Sequence, residues 1–66
     1  MRTCAIVNPA AGRGRVRRVW PQLLSHLLSA APSLSVRWTT APAHATALTR
    51  QALLDGYERI VAVGGD

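Results

Sequence analysis

Cys4-Ala5-Ile6-Val7-Asn8-Pro9-Ala10-Ala11-Gly12-Arg13-Gly14-Arg15 is the stretch that decides how this chain folds. Four apolar residues in a row, halted by Asn8-Pro9, read as a strand buried on both faces, of the kind found inside parallel sheets. The loop that follows is made of small residues. Gly12 and Gly14 can take backbone angles closed to residues with a β-carbon, so main chain there can approach a ligand closely. Set between a buried strand and a helix, such a loop offers backbone N–H groups and a helix dipole to an anion. It lacks the third glycine of a dinucleotide fingerprint, since position 17 is Arg, and it lacks the Gly-Lys-Ser/Thr ending of a P-loop. An ordinary strand-to-helix turn has a similar composition, so the loop alone assigns no function.

Beyond Arg15 the apolar positions are Val16, Val19, Trp20, Leu23, Leu24, Leu27 and Leu28, the one-face pattern of an amphipathic helix. Pro21 lies within it, and two readings stand: a kink at Pro21, or a regular helix that begins near it. Pro32-Ser33 ends the element, and Ser35 to Thr39, with Val36 and Trp38 on one face, reads as a second strand. Thr40-Ala41-Pro42 then makes a turn. Ala45, Leu48, Ala52 and Leu53 give a shorter helix, which Gly56 can end as a left-handed cap. Ile60-Val61-Ala62-Val63, led in by Arg59, is a third apolar run. The order β-α-β-α-β, with crossovers of this length, predicts an α/β fold with a partial doubly wound parallel sheet. Ligands of such sheets sit beyond the carboxyl ends of the strands.

The 66 residues permit one domain or part of one, because a chain this short buries only about 60% of the surface its unfolded form exposes. The net charge of +5 comes from eight arginines, with no lysine, against three acidic residues. Arg13, Arg15, Arg17 and Arg18 concentrate it in one place, which suits phosphate on a nucleotide, a nucleic acid or an anionic lipid surface; a solvated helix face accounts for it equally well. Cys4 is the sole cysteine, which excludes an internal disulfide and fits a buried strand position in a reducing compartment. No run approaches the roughly 18 residues of a membrane span, so a cytoplasmic protein, at most peripheral to membranes, is expected.

Gly64-Gly65-Asp66 follows the third strand as the glycine loop follows the first. Two glycines let backbone pass beside a phosphate, and an aspartate there can accept a proton or orient a Mg²⁺ shell. Each motif alone is weak, but together, at matching ends of parallel strands, they are far more specific. The pairing of Asn-Pro-x-x-Gly-x-Gly after the first strand with Gly-Gly-Asp after the third resembles the catalytic domain of the diacylglycerol kinase and sphingosine kinase superfamily, particularly its bacterial soluble lipid kinases. The resemblance covers the whole chain. It implies that residues 1–66 are the N-terminal part of a nucleotide-binding domain whose remainder, and a β-rich second domain, lie elsewhere, so that this piece is not expected to turn over alone.

The resemblance further implies transfer of the γ-phosphoryl of ATP, with Mg²⁺, to a lipid bearing a free hydroxyl. Asn8, Pro9, Ala10, Ala11 and Gly12 would line the ATP phosphates, Thr39 would contact ATP, and Gly64, Gly65 and Asp66 would open the second nucleotide loop. Asp66 is the candidate for a catalytic role, and no metal ligands are assigned. Thr40 competes with Thr39, and otherwise serves as a helix N-cap. His44 is expected to bond the local backbone, His26 to be solvated, and Trp20 and Trp38 to belong to the core. Two other readings are an NAD kinase-like enzyme, for which the Asn-Pro-x-x-Gly loop is unexpected, and a non-enzymatic basic module binding nucleic acid, for which the tryptophans leave no stacking surface.

Overall fold

The computed structural model describes residues 1–41 and 43–64. Five elements follow in the expected order: β1 (Thr3–Val7), α1 (Ala11–Ala30), β2 (Ser35–Trp38), α2 (His44–Leu54) and β3 (Arg59–Val63). The three strands form one parallel sheet in the order β2-β1-β3. Ala5 pairs with Val36 on one side and Val61 on the other. The central place of β1 explains why its apolar run is unbroken: all five of its residues are buried. Full burial of side chains such as Ile6 and Val7 contributes about 1.5–3 kcal/mol each.

The strand pleat sends alternate residues to opposite faces. Cys4 and Ile6 face α2, where they form a small core with Ala52, and Leu48, Tyr57 and Ile60 pack around it. Cys4 is free and buried, and burial raises its thiol pKa. Thr3, Ala5 and Val7 alternate with them and face the other side of the sheet. The predicted stripe of α1 is half-buried from Val16 to Leu27, while Leu28 is exposed. The two outer strands are less covered than their apolar sequences suggest, and Ala62 is exposed. Among the described residues each outer strand has a neighbour on one side only.

Pro21 lies inside α1 with helical geometry around it. The break falls earlier, where Gly12, Arg13 and Gly14 take left-handed angles (φ 62°, 58° and 85°) before the regular helix begins at Arg15. Pro21 does remove the N–H that would bond the carbonyl of Arg17. Gly56 ends α2 as expected, with φ 94°. Its N–H donates to Leu53 O, and the N–H of Tyr57 donates to Ala52 O, the paired bonds of a Schellman cap.

The start of α2 differs from the expectation for Thr40. The N-cap position is Ala43, left-handed at φ 68° with no side-chain cap, and Thr40 lies upstream. His44 fulfils the local structural role: the N–H of Thr40 donates to its Nδ1 at 3.0 Å. The tryptophans were expected in the core, and neither is buried: Trp20 is half-buried and Trp38 exposed. Trp38 is 40% exposed, and it meets Trp20 edge-on at 4.9 Å between ring centroids, so the two side chains cover each other where β2 runs at the sheet edge. His26 is exposed, as expected.

At the amino ends of the strands, a polar clasp holds the sheet. Arg37 pairs with Asp55 at 2.8 Å, Arg2 Nη1 donates to Asp55 O, and Tyr57 Oη bonds Ser35 Oγ at 2.8 Å. The opposite, carboxyl ends carry the motif residues.

Candidate functional site

The site is built on three adjacent strand tips. β1 ends at Val7, and the N–H of Asn8 donates across to Val63 O of β3 at 3.1 Å. On the other side the N–H of Thr39 donates to Val7 O at 2.8 Å, so Thr39, 8% exposed, is fixed beside the first loop. The loops after β1 and β3 therefore issue from neighbouring tips, with Thr39 flanking them.

Their contact is closer than adjacency requires. Gly64 has φ 76°, and a β-carbon added there would lie 2.6 Å from Ala11 Cβ, 3.0 Å from Val16 Cγ2 and 3.1 Å from Asn8 O. Only glycine fits, on conformational and on steric grounds. Ala11 is buried beneath this contact, which accounts for its small side chain.

The first loop is held by its own amides. Asn8 Oδ1 accepts from the N–H of Ala10 at 3.1 Å, Asn8 O accepts from Ala11, and Ala10 O accepts from Gly14. Pro9 has no N–H. The amides of Asn8, Ala10 and Ala11 thus shape the turn, a division of labour that the sequence did not disclose. Gly12 and Arg13 fall in the left-handed stretch that precedes the regular helix. Arg13 is the non-glycine member there, in a conformation that costs an L-residue roughly 1–2 kcal/mol.

Over the strand tips opens a cleft of about 1000 Å³, at the upper end of the roughly 300–1,000 Å³ usual for small-molecule sites. Asn8, Pro9, Ala10, Thr39 and Gly64 line it. Ala11 and Gly12 do not: the first is buried, the second exposed. Gly65 and Asp66 lie outside the described residues. Thr40, Thr49 and Arg17 also line the cleft. Thr49 was not singled out from the sequence, although it follows Ala45 by one turn on the same face of α2. Among the described residues no group of three His, Cys, Asp or Glu side chains could hold a metal ion.

The chain's likeness to known proteins agrees with this geometry. The family model for the diacylglycerol kinase catalytic domain matches residues 2–66. The chain is also 32% identical over 62 residues to sphingoid long chain base kinase 5 of Saccharomyces cerevisiae, covering 92% of this chain and 9% of that protein. It thus spans a small part of that relative's length. No solved structure matches. With a family model matched along nearly all of its residues, the chain belongs to the diacylglycerol kinase catalytic domain family, a family of lipid kinases.

Proposed function

We propose that residues 1–66 form the N-terminal, phosphate-holding part of an ATP-dependent lipid kinase domain. The observation that supports this most is the contact of Gly64 with Ala11 and Asn8, which brings two glycine loops to one cleft lined by Thr39 and Arg17. A triphosphate laid along the strand tips would meet the loop at Asn8 to Ala10, the hydroxyl of Thr39, the guanidinium of Arg17 and the main chain of Gly64.

In the proposed reaction the hydroxyl oxygen of a lipid attacks the γ-phosphorus of ATP, the bond from that phosphorus to the β–γ bridging oxygen breaks, ADP leaves, and the hydroxyl proton passes to a base. Such transfer depends chiefly on positioning and on stabilising phosphate charge. This chain's share is the positioning. Asp66 is the proposed base or second-loop residue, with Gly65 beside it. Mg²⁺ would neutralise phosphate charge when it accompanies ATP, but the described residues supply no ligand set for it, and no step here runs through it.

The acceptor class is a lipid with a free hydroxyl; diacylglycerol and a sphingoid base are the two candidates raised by the family and by the yeast relative. Arg13, Arg15 and Arg18 are exposed and would suit peripheral contact with an anionic cytoplasmic membrane. Among the described residues no helix is long and apolar enough to cross a membrane.

The test is label transfer from γ-labelled ATP by the intact protein to vesicles carrying diacylglycerol or a sphingoid base. Label in one of these lipids is the expected result and names the acceptor. Absence of label from both, with ATP binding also absent, would overturn the proposal.

A further inference from the structure

Four arginines crowd the start of α1, and the cleft separates one of them from the rest. Arg17 is the one charged residue among those that line the cleft; the other described lining residues are apolar, hydroxyl-bearing, amide or glycine. All four arginines are exposed, but Arg13, Arg15 and Arg18 do not line the cleft; Arg18 Nη1 lies 3.9 Å from where a β-carbon on Gly14 would be. A cation on the wall of a cleft stands nearer to charge bound there than cations outside it, and the interaction weakens with distance and is screened by salt beyond about 8–10 Å.

Resting on the nucleotide reading above, we infer that Arg17 is the charge-selecting residue of this cleft: its guanidinium pairs with phosphate oxygens of the bound nucleotide and sets the preference for tri- and diphosphate over uncharged nucleoside. Arg13, Arg15 and Arg18 take no part in that preference. A planar guanidinium can hold two phosphate oxygens at once, which a lysine cannot reproduce. The same chemistry would suit a phospholipid headgroup, so the experiment separates the two sources.

The affinities of the intact protein for ATP, ADP, AMP and adenosine are to be measured by calorimetry for the wild type and for Arg17→Gln, Arg17→Lys and Arg18→Gln, alongside binding to vesicles with and without phosphatidylserine. Arg17→Gln should weaken ATP about 10- to 100-fold, as expected for loss of a charged hydrogen-bonding pair. It should leave adenosine unchanged and flatten the salt dependence of ATP binding. Arg17→Lys should recover part of the loss, and Arg18→Gln should match the wild type. The inference is overturned if Arg17→Gln binds ATP like the wild type, if Arg17→Gln and Arg18→Gln weaken it equally, or if Arg17→Gln reduces vesicle binding alone. A wild type that binds no nucleotide would remove the nucleotide reading itself; ATP binding that survives Arg17→Gln but not Gly12→Val would sink only the role of Arg17.

Discussion

Gly64 and Ala11 touch so closely that a β-carbon on the first would stand 2.6 Å from the β-carbon of the second. The contact joins the end of β3 to the loop after β1 and leaves no room for adjustment, since Ala11 is buried and Asn8 O is main chain.

Gly64→Ala should therefore do two kinds of damage. The left-handed angle alone costs an L-residue roughly 1–2 kcal/mol, and the clash adds to it by prising the two loops apart. A lowered melting temperature and weakened ATP binding should appear together in the intact protein. Normal values for both would mean that the loops are not locked in this way.

Gly12→Val acts on the same loop from a different position. Gly12 has φ 62° and does not line the cleft, so the variant works by forcing a β-branched residue into left-handed geometry, with Arg15 Cβ 3.2 Å from the new β-carbon. The loop must rearrange, and the amides of residues 12 and 13 move with it. ATP affinity should fall by about tenfold or more, while Gly14→Ala, at φ 85° but meeting only Arg18 Nη1 at an ordinary 3.9 Å, should fall less. Equal ATP affinity for Gly12→Val and the wild type would take the loop out of the site.

Cys4 provides a reporter of the sheet. It is fully buried in the central strand with its thiol pKa raised by burial, and the thiolate is the reactive form. Alkylation of Cys4, followed by peptide mass analysis, should be negligible in the folded protein and rapid in denaturant. Rapid labelling under native conditions would contradict the central position of β1.

The clasp at the amino ends predicts an acid response. The carboxyl pKa of Asp55 is lowered, first by its hydrogen bond with Arg37 and next by that from Gln51. A depressed folded-state pKa means that the stabilisation is present above the ordinary carboxylate value and is lost as pH falls through the folded value. Hydrogen exchange at Glu58 and Arg59, whose amides bond Arg2 O next to the clasp, should quicken relative to the intrinsic rate as pH drops below about 4. Asp55→Asn should exchange faster at neutral pH and lose most of that acid response; an unchanged response in the variant would assign the titration elsewhere.

Much of the fold was legible because its signals are local. Unbroken apolar runs at Cys4–Val7 and Ile60–Val63 read as strands, though only the first is buried throughout, and the spacing from Val16 to Leu28 has one amphipathic reading. What escaped depends on contacts distant in sequence. Nothing local forces Arg13 into left-handed geometry; the turn is closed by Ala10 and Asn8 carbonyls and pressed by Gly64 from another strand. The tryptophans read as core because periodicity reports which face is apolar, not how much structure covers it, and at the β2 edge the cover is mainly each other. Of the residues singled out from the sequence, Asn8, Pro9, Ala10, Thr39 and Gly64 line the cleft, whereas Ala11 and Gly12 do not. Which arginine lines the cleft was not legible, because neighbouring residues on a helix diverge by about 100° and the sequence does not say where the sheet lies.

Hydrogen exchange of the intact protein with a non-hydrolysable ATP analogue tests the convergence of the two loops most directly. Peptides covering residues 8–14 and peptides covering residues 61–64 should gain protection together, at the same analogue concentration. Protection of one loop without the other, or of neither at saturating analogue, would contradict a shared phosphate site.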